Sequence, residues 1–178
     1  MTLERARDLF ARHQWHELDA LLRALSREEL RAQPELGYWL ADTWRRLGRQ
    51  TDALELLDDV SPAIKRSGVP RLSLARLNLL GMLRFETGDI AAAEAAWRDL
   101  LAEASNERDE EHVARANNNL GIIYTLHGRP AEAIACYERA ITSYRQLGLA
   151  RHIAQSHQNL AITYRDMGHY HKADAHFL

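Results

Sequence analysis

Leu120-Gly121-Ile122-Ile123-Tyr124-Thr125-Leu126-His127-Gly128-Arg129-Pro130-Ala131-Glu132-Ala133-Ile134-Ala135-Cys136-Tyr137 is the stretch from which the rest of the chain can be read. Leu120 and Tyr124 share one face of a helix, and the small Gly121 lies beside them where a partner helix must come close. Gly128 tolerates the left-handed conformation that ends a helix. Pro130 suits the first turn of the next helix, where its missing N–H has no intrahelical bond to lose. Ala133, Tyr137 and Ala140 then recur along one face of that second helix, a small residue admitting the first helix and an aromatic filling the gap beyond it. The stretch predicts an antiparallel helix pair.

The same pattern returns every forty residues. Leu40, Leu80, Leu120 and Leu160 are followed by Ala41, Gly81, Gly121 and Ala161, then by Trp44, Arg84, Tyr124 and Tyr164, then by Gly48, Gly88, Gly128 and Gly168. Ala53, Ala93, Ala133 and Ala173 keep the same register, as do the bulky Leu57, Trp97, Tyr137 and Phe177. A fixed period of this length means stacked supersecondary units, because a single unit cannot bury its own apolar face.

These residues resemble the tetratricopeptide repeat, whose pattern is Leu-Gly-x-x-Tyr in the first helix, Gly at the turn and Ala-x-x-x-Phe in the second. The early Trp of the family pattern is absent, Arg84 replaces an aromatic, and the period exceeds the usual length of about 34 residues. The longer repeat is similar to the variety found in kinesin light chains and in the sensor regions of bacterial regulators. The resemblance implies an all-α, right-handed superhelical solenoid. Its expected divisions are a degenerate helix pair over 1–33, repeats over 34–73, 74–113 and 114–153, and an incomplete repeat over 154–178.

Outside the clear repeats the reading is local. Residues 2–13 and 15–25 read as a helix pair, with Leu9 and Phe10 in the first and Trp15, Leu18, Leu22 and Leu25 in the second. Ser26 and Glu29 form a capping box, and Pro34 opens the following long helix. Ser61-Pro62 predicts a kink or break, since proline lacks a donor and disfavours helix before it. Asn106 is a candidate cap for a helix whose acidic start complements the dipole. At the far end Tyr170, Ala173 and Phe177 are expected to pack on their own first helix, with Leu178 closing the sequence. The outer face there lacks a polar cap, which predicts either a longer native protein or self-association through this open end.

Composition narrows the class. No apolar run is long enough for a membrane span, and the charged start is not a secretory signal. A net charge of −2 argues against nucleic acid as a direct partner. The lone Cys136 fits a reducing, cytoplasmic compartment and reads as a buried, inert thiol. Arginine far outnumbers lysine, only Lys65 and Lys172 being present, a bias that points to a bacterial source. No nucleophile and base can be paired, so no catalytic residue is assigned. His152 with His157 and His169 with His171 lack the spacing that puts two imidazoles on one helical face, so neither metal nor cofactor is expected.

The resemblance implies a groove lined by the first helices. The positions two before, one before, two after and five after each repeat Leu face it, with their neighbours. Its expected partner-binding residues are Tyr38, Trp39, Arg45, Asn78, Arg115, Asn118, Asn119, Gln155, Gln158, Asn159 and Arg165. Amides at that spacing can donate to and accept from the main chain of an extended peptide, and arginine can hold a carboxylate through two parallel bonds. Asn119 serves equally well as a bond to a neighbouring helix. Trp44 reads as core, whereas Tyr38 or Trp39 reads as an exposed aromatic anchor. The function expected is that of a non-catalytic scaffold that binds a protein or peptide, with a sensory module of a larger regulator and a self-association module as alternatives.

Overall fold

The computed structural model describes residues 2–177, without the side chain of Phe177. The packing expected of that side chain lies outside the described residues, as does Leu178. The described chain contains helices and no strand, and it divides into two compact units, residues 1–89 and 90–178.

The first unit holds α1 (Thr2–Ala11), α2 (Trp15–Leu22), α3 (Arg27–Ala32), α4 (Pro34–Arg46), α5 (Gln50–Arg66) and α6 (Pro70–Glu86). Both opening helices stop earlier than their apolar pattern suggests, at Ala11 and at Leu22, and His13 between them turns left-handed with φ 60°. The capping box forms as expected: Glu29 N–H donates to Ser26 Oγ at 3.2 Å, and Ser26 N–H donates to Glu29 Oε2 at 2.7 Å. The core joins Leu18 and Leu22 to Leu36, Leu40, Leu56 and Leu57, all nearly inaccessible. Trp44 belongs to this core and donates from Nε1 to Asp19 at 2.7 Å.

The break among the outcomes expected at Ser61-Pro62 does not occur, because α5 runs through Pro62. Val60 and Ile64 flank the proline and are fully buried. An interior proline costs about 3 kcal/mol, and fully burying two branched side chains gains about 1.5–3 kcal/mol each. Tertiary burial therefore outweighs the local break.

The second unit holds α7 (Ile90–Glu107), α8 (Glu110–Leu126), α9 (Pro130–Gln146), α10 (Ala150–Asp166) and α11 (Tyr170–Phe177). Asn106 is not a cap, since α7 continues past it. The capping residue is Asp109, which accepts from His112 N–H at 3.0 Å. Tyr137, Ile141 and Leu160 form the core between α9 and α10, with Ala133 admitting the neighbouring helix. Cys136 is buried, as its slot implied.

The glycine turns explain the register. Gly128 has φ 66°, and the next residue, Arg129, sends its N–H back to the Tyr124 carbonyl at 2.8 Å. This closes the helix end with a Schellman-type bond. The equivalent bonds run from Arg49 to Trp44, from Asp89 to Arg84 and from His169 to Tyr164.

Candidate functional site

Asparagine is uncommon inside helices because its amide competes for backbone groups, yet α8 carries three in succession. Each has a distinct job. Asn117 donates to the Val113 carbonyl at 2.9 Å and accepts from Arg139 Nε on α9 at 3.1 Å. Asn118 reaches the other way, its Oδ1 accepting from Ser156 Oγ at 2.9 Å and from Asn159 Nδ2 at 3.3 Å, both on α10. Its Nδ2 points to Asn119 Oδ1 at 3.4 Å. Asn119 and Asn159, which hold the same slot in successive repeats, are half-buried.

Asn118 is therefore a buried clamp, 6% exposed, rather than part of an accessible wall. A buried amide must find partners, and the fully buried Ser156 supplies one. A second rung lies beyond it, where Thr125 Oγ1 is 2.9 Å from Thr163 Oγ1 and 3.3 Å from the Tyr137 hydroxyl. Burial pushes the Tyr137 phenol pKa up, the bonds to Thr125 and Thr163 acting against it. Neither Ser156 nor Thr163 carries any repeat signature, and only their spacing from Asn118 and Thr125 hints at these rungs.

Gln155 and Gln158 are exposed on α10. Gln158 occupies the slot of Asn118 one repeat on and borders a cavity of about 530 Å³ shared with His157 and His176. Arg115 is half-buried and pairs with Glu111 at 2.8 Å, while the exposed Arg165 pairs with Asp166 at 2.9 Å. Such local ion pairs contribute little, typically about 0–1 kcal/mol, so either guanidinium can exchange its carboxylate for another.

In the first unit the expected residues are mostly packed away. Trp39 is 7% exposed and stacks on Phe10 with ring centroids 5.7 Å apart, which corrects its reading as an exposed anchor. The cause is α1, whose Phe10 covers the indole. Tyr38 remains half-exposed and lines, with Trp39, Leu72 and Val69, a cavity of about 550 Å³. Asn78 is buried at 8% exposure. Arg45 bridges Asp42 at 3.1 Å and Glu86 at 2.7 Å. Burial alone would lower its pKa, but Asp42 and Glu86 outweigh that effect and raise it.

Among the described residues no group of three metal-ligating side chains occurs, and no helix is long and apolar enough to cross a membrane.

The tetratricopeptide repeat model matches residues 71–146 and 112–178, more than half of the chain. The chain belongs to the tetratricopeptide repeat family. The putative kinesin light chain of nearly identical TPR-like repeats from Podosopora anserina is similar in fold, with a TM-score of 0.68 and 20% identity over 98% of this chain and 89% of that one. A STAND ATPase with a tetratricopeptide repeat sensor, PH0952 from Pyrococcus horikoshii, has a TM-score of 0.79 and 18% identity over 98% of this chain and only 28% of that one. The Rap protein complexed with Competence and Sporulation Factor reaches a TM-score of 0.81 at 14% identity, over 97% of this chain and 50% of that one. No curated protein sequence matches the chain.

Proposed function

We propose that this tetratricopeptide repeat chain is a non-catalytic protein-interaction module that binds an extended partner segment along α8 and α10. The observation that carries the proposal is the linked amide set, in which Asn118 holds Asn119 and Asn159 one repeat apart while both stay half-buried. Repeated amides match the donors and acceptors of an extended main chain, and Gln155, Arg115 and Arg165 extend the polar surface. The Rap protein complexed with Competence and Sporulation Factor supports the reading as a precedent, at the level of fold alone, for this architecture in a complex. A sensory role within a larger regulator is the second reading, favoured by the sensor of the STAND ATPase.

The test is selection from a random linear-peptide library on the intact chain, followed by affinity measurement on Gln155→Ala and on Asn119→Ala with Asn159→Ala. Loss of at least about fivefold in affinity is expected for the double variant, from about 0.5–1.5 kcal/mol for each of two hydrogen bonds. Selected peptides that bind both variants with unchanged affinity would refute the proposed face.

A further inference from the structure

The histidines nineteen residues apart, His157 on α10 and His176 on α11, meet in the fold with Nδ1 atoms 3.0 Å apart and ring centroids 5.2 Å apart. Arg145 of α9 approaches the other nitrogen of His157, Nε2, at 3.2 Å. A guanidinium only donates, so Nε2 must accept. Neutral His157 then carries its proton on Nδ1 and donates it to Nδ1 of His176, which in turn must be unprotonated at that atom. The chain Arg145, His157, His176 is complete only when both imidazoles are neutral. A metal ion seated between the two Nδ1 atoms would drive the His157 proton to Nε2, directly against the Arg145 donors, and the geometry favours the proton chain instead.

We propose that Arg145, His157 and His176 form a proton-sensitive latch that docks α11 on α10 at neutral pH and releases it on acidification. The remaining charges around the pair reinforce this direction. Lys172 of α11 lies 5.3 Å over the Tyr164 ring, against which His176 itself stacks at 5.6 Å. His169, just before α11, stacks on the same ring at 6.3 Å. Asp174 is two residues from His176 and so lies toward the opposite side of α11. Protonation thus adds charge to a cationic surround.

Burial first, then His176 and Arg145, lower the His157 pKa below its ordinary value. The unfolded chain therefore takes up this proton more readily. The latch contributes fully above the ordinary imidazole value of about 6.5 and weakens as pH falls from there through the lowered one. Loss of docking between α10 and α11 opens the cavity beside Ile153 and Gln158.

The experiment is residue-resolved amide exchange on the full chain at about pH 7.5 and 5.5, corrected for intrinsic rates, beside a proton titration of the ring resonances of His157 and the exposed His171. Protection of α11 relative to α9 should fall by up to about tenfold per pH unit between about pH 6.5 and the midpoint of the His157 titration, which lies below that ordinary value. In the double variant His157→Gln with His176→Gln, which leaves neither ring of the pair to titrate, relative protection should be the same at both pH values. The proposal is overturned if α11 tracks α9 in the wild type, if the His157 midpoint does not lie below about 6.5, or if the double variant keeps the pH response. Zn²⁺ or Ni²⁺ raising α11 protection at neutral pH would also overturn it, in favour of a metal site.

Discussion

A Cβ placed on Gly121 would lie 2.5 Å from Cε1 and 2.8 Å from Cδ1 of Tyr137, so the ring of one helix occupies the space that any other residue on its partner would need. Tyr137 is 1% exposed and cannot swing aside. Gly121→Leu is expected to lower stability by about 3 kcal/mol, the upper part of the range for overpacked cores. Gly37→Leu should behave alike, because its Cβ would meet Val60 Cγ1 at 2.7 Å. Chemical denaturation measures both, and an unchanged midpoint would contradict this packing.

The clamp between α8 and α10 makes a separate prediction. Asn118→Ala removes the acceptor used by Ser156 and Asn159, and stranding a buried hydroxyl costs about 1–3 kcal/mol. Asn118→Ala with Ser156→Ala should cost less than the sum of the single changes, since each alone already breaks the shared bond. Urea titration of the two single variants and the double variant reads the coupling, and strict additivity would count against the clamp.

Arg108 occupies a left-handed turn at φ 55°, where the equivalent positions in neighbouring repeats are Gly68 and Gly148. A side chain there carries a steric cost of about 1–2 kcal/mol, part of which the greater freedom of glycine in the unfolded chain offsets. Arg108→Gly is expected to raise the Tm slightly, with a gain of about 0.5–1 kcal/mol after that offset. A lower Tm would mean that the arginine side chain contributes more than its backbone strain costs.

Burial, with smaller opposing effects from Arg115 and Glu111, pushes the Tyr144 phenol up to about 12. The folded state therefore resists ionisation more than the unfolded one. Its contribution is intact below the ordinary tyrosine value of about 10 and is lost as pH rises from there through the folded value. Tyr144→Phe should flatten the alkaline decline in stability measured by denaturant titration. Identical slopes for the two proteins would exclude Tyr144 as the source.

The legible parts of the fold were those where backbone geometry demands a residue type. Gly128 and Pro130 announced a turn and a helix start because few other residues suit those positions, and Gly121 with Tyr137 announced a close helix contact because their sizes are complementary. The burial of Trp39 was not legible, since its cover, Phe10, comes from a helix outside the clear period. Helix continuity through Pro62 depended on tertiary burial of Val60 and Ile64, which local propensity does not register. At the candidate face, Asn118 was visible as an anomaly but its destination was not, because Ser156 is a small residue with no motif of its own. The pairing of His157 with His176 was hidden likewise, being made by packing between helices and not by spacing along one.

The central claim is that α8 and α10 present a surface for an extended partner segment. The most direct measurement is the set of side-chain amide shifts in the intact chain on adding the tightest peptide selected from a random linear library. Asn119, Asn159 and Gln155 should shift together, with Asn117 nearly still because its amide is committed to Val113 and Arg139. Shifts confined to residues away from α8 and α10, with these three amides unmoved at saturation, would contradict it.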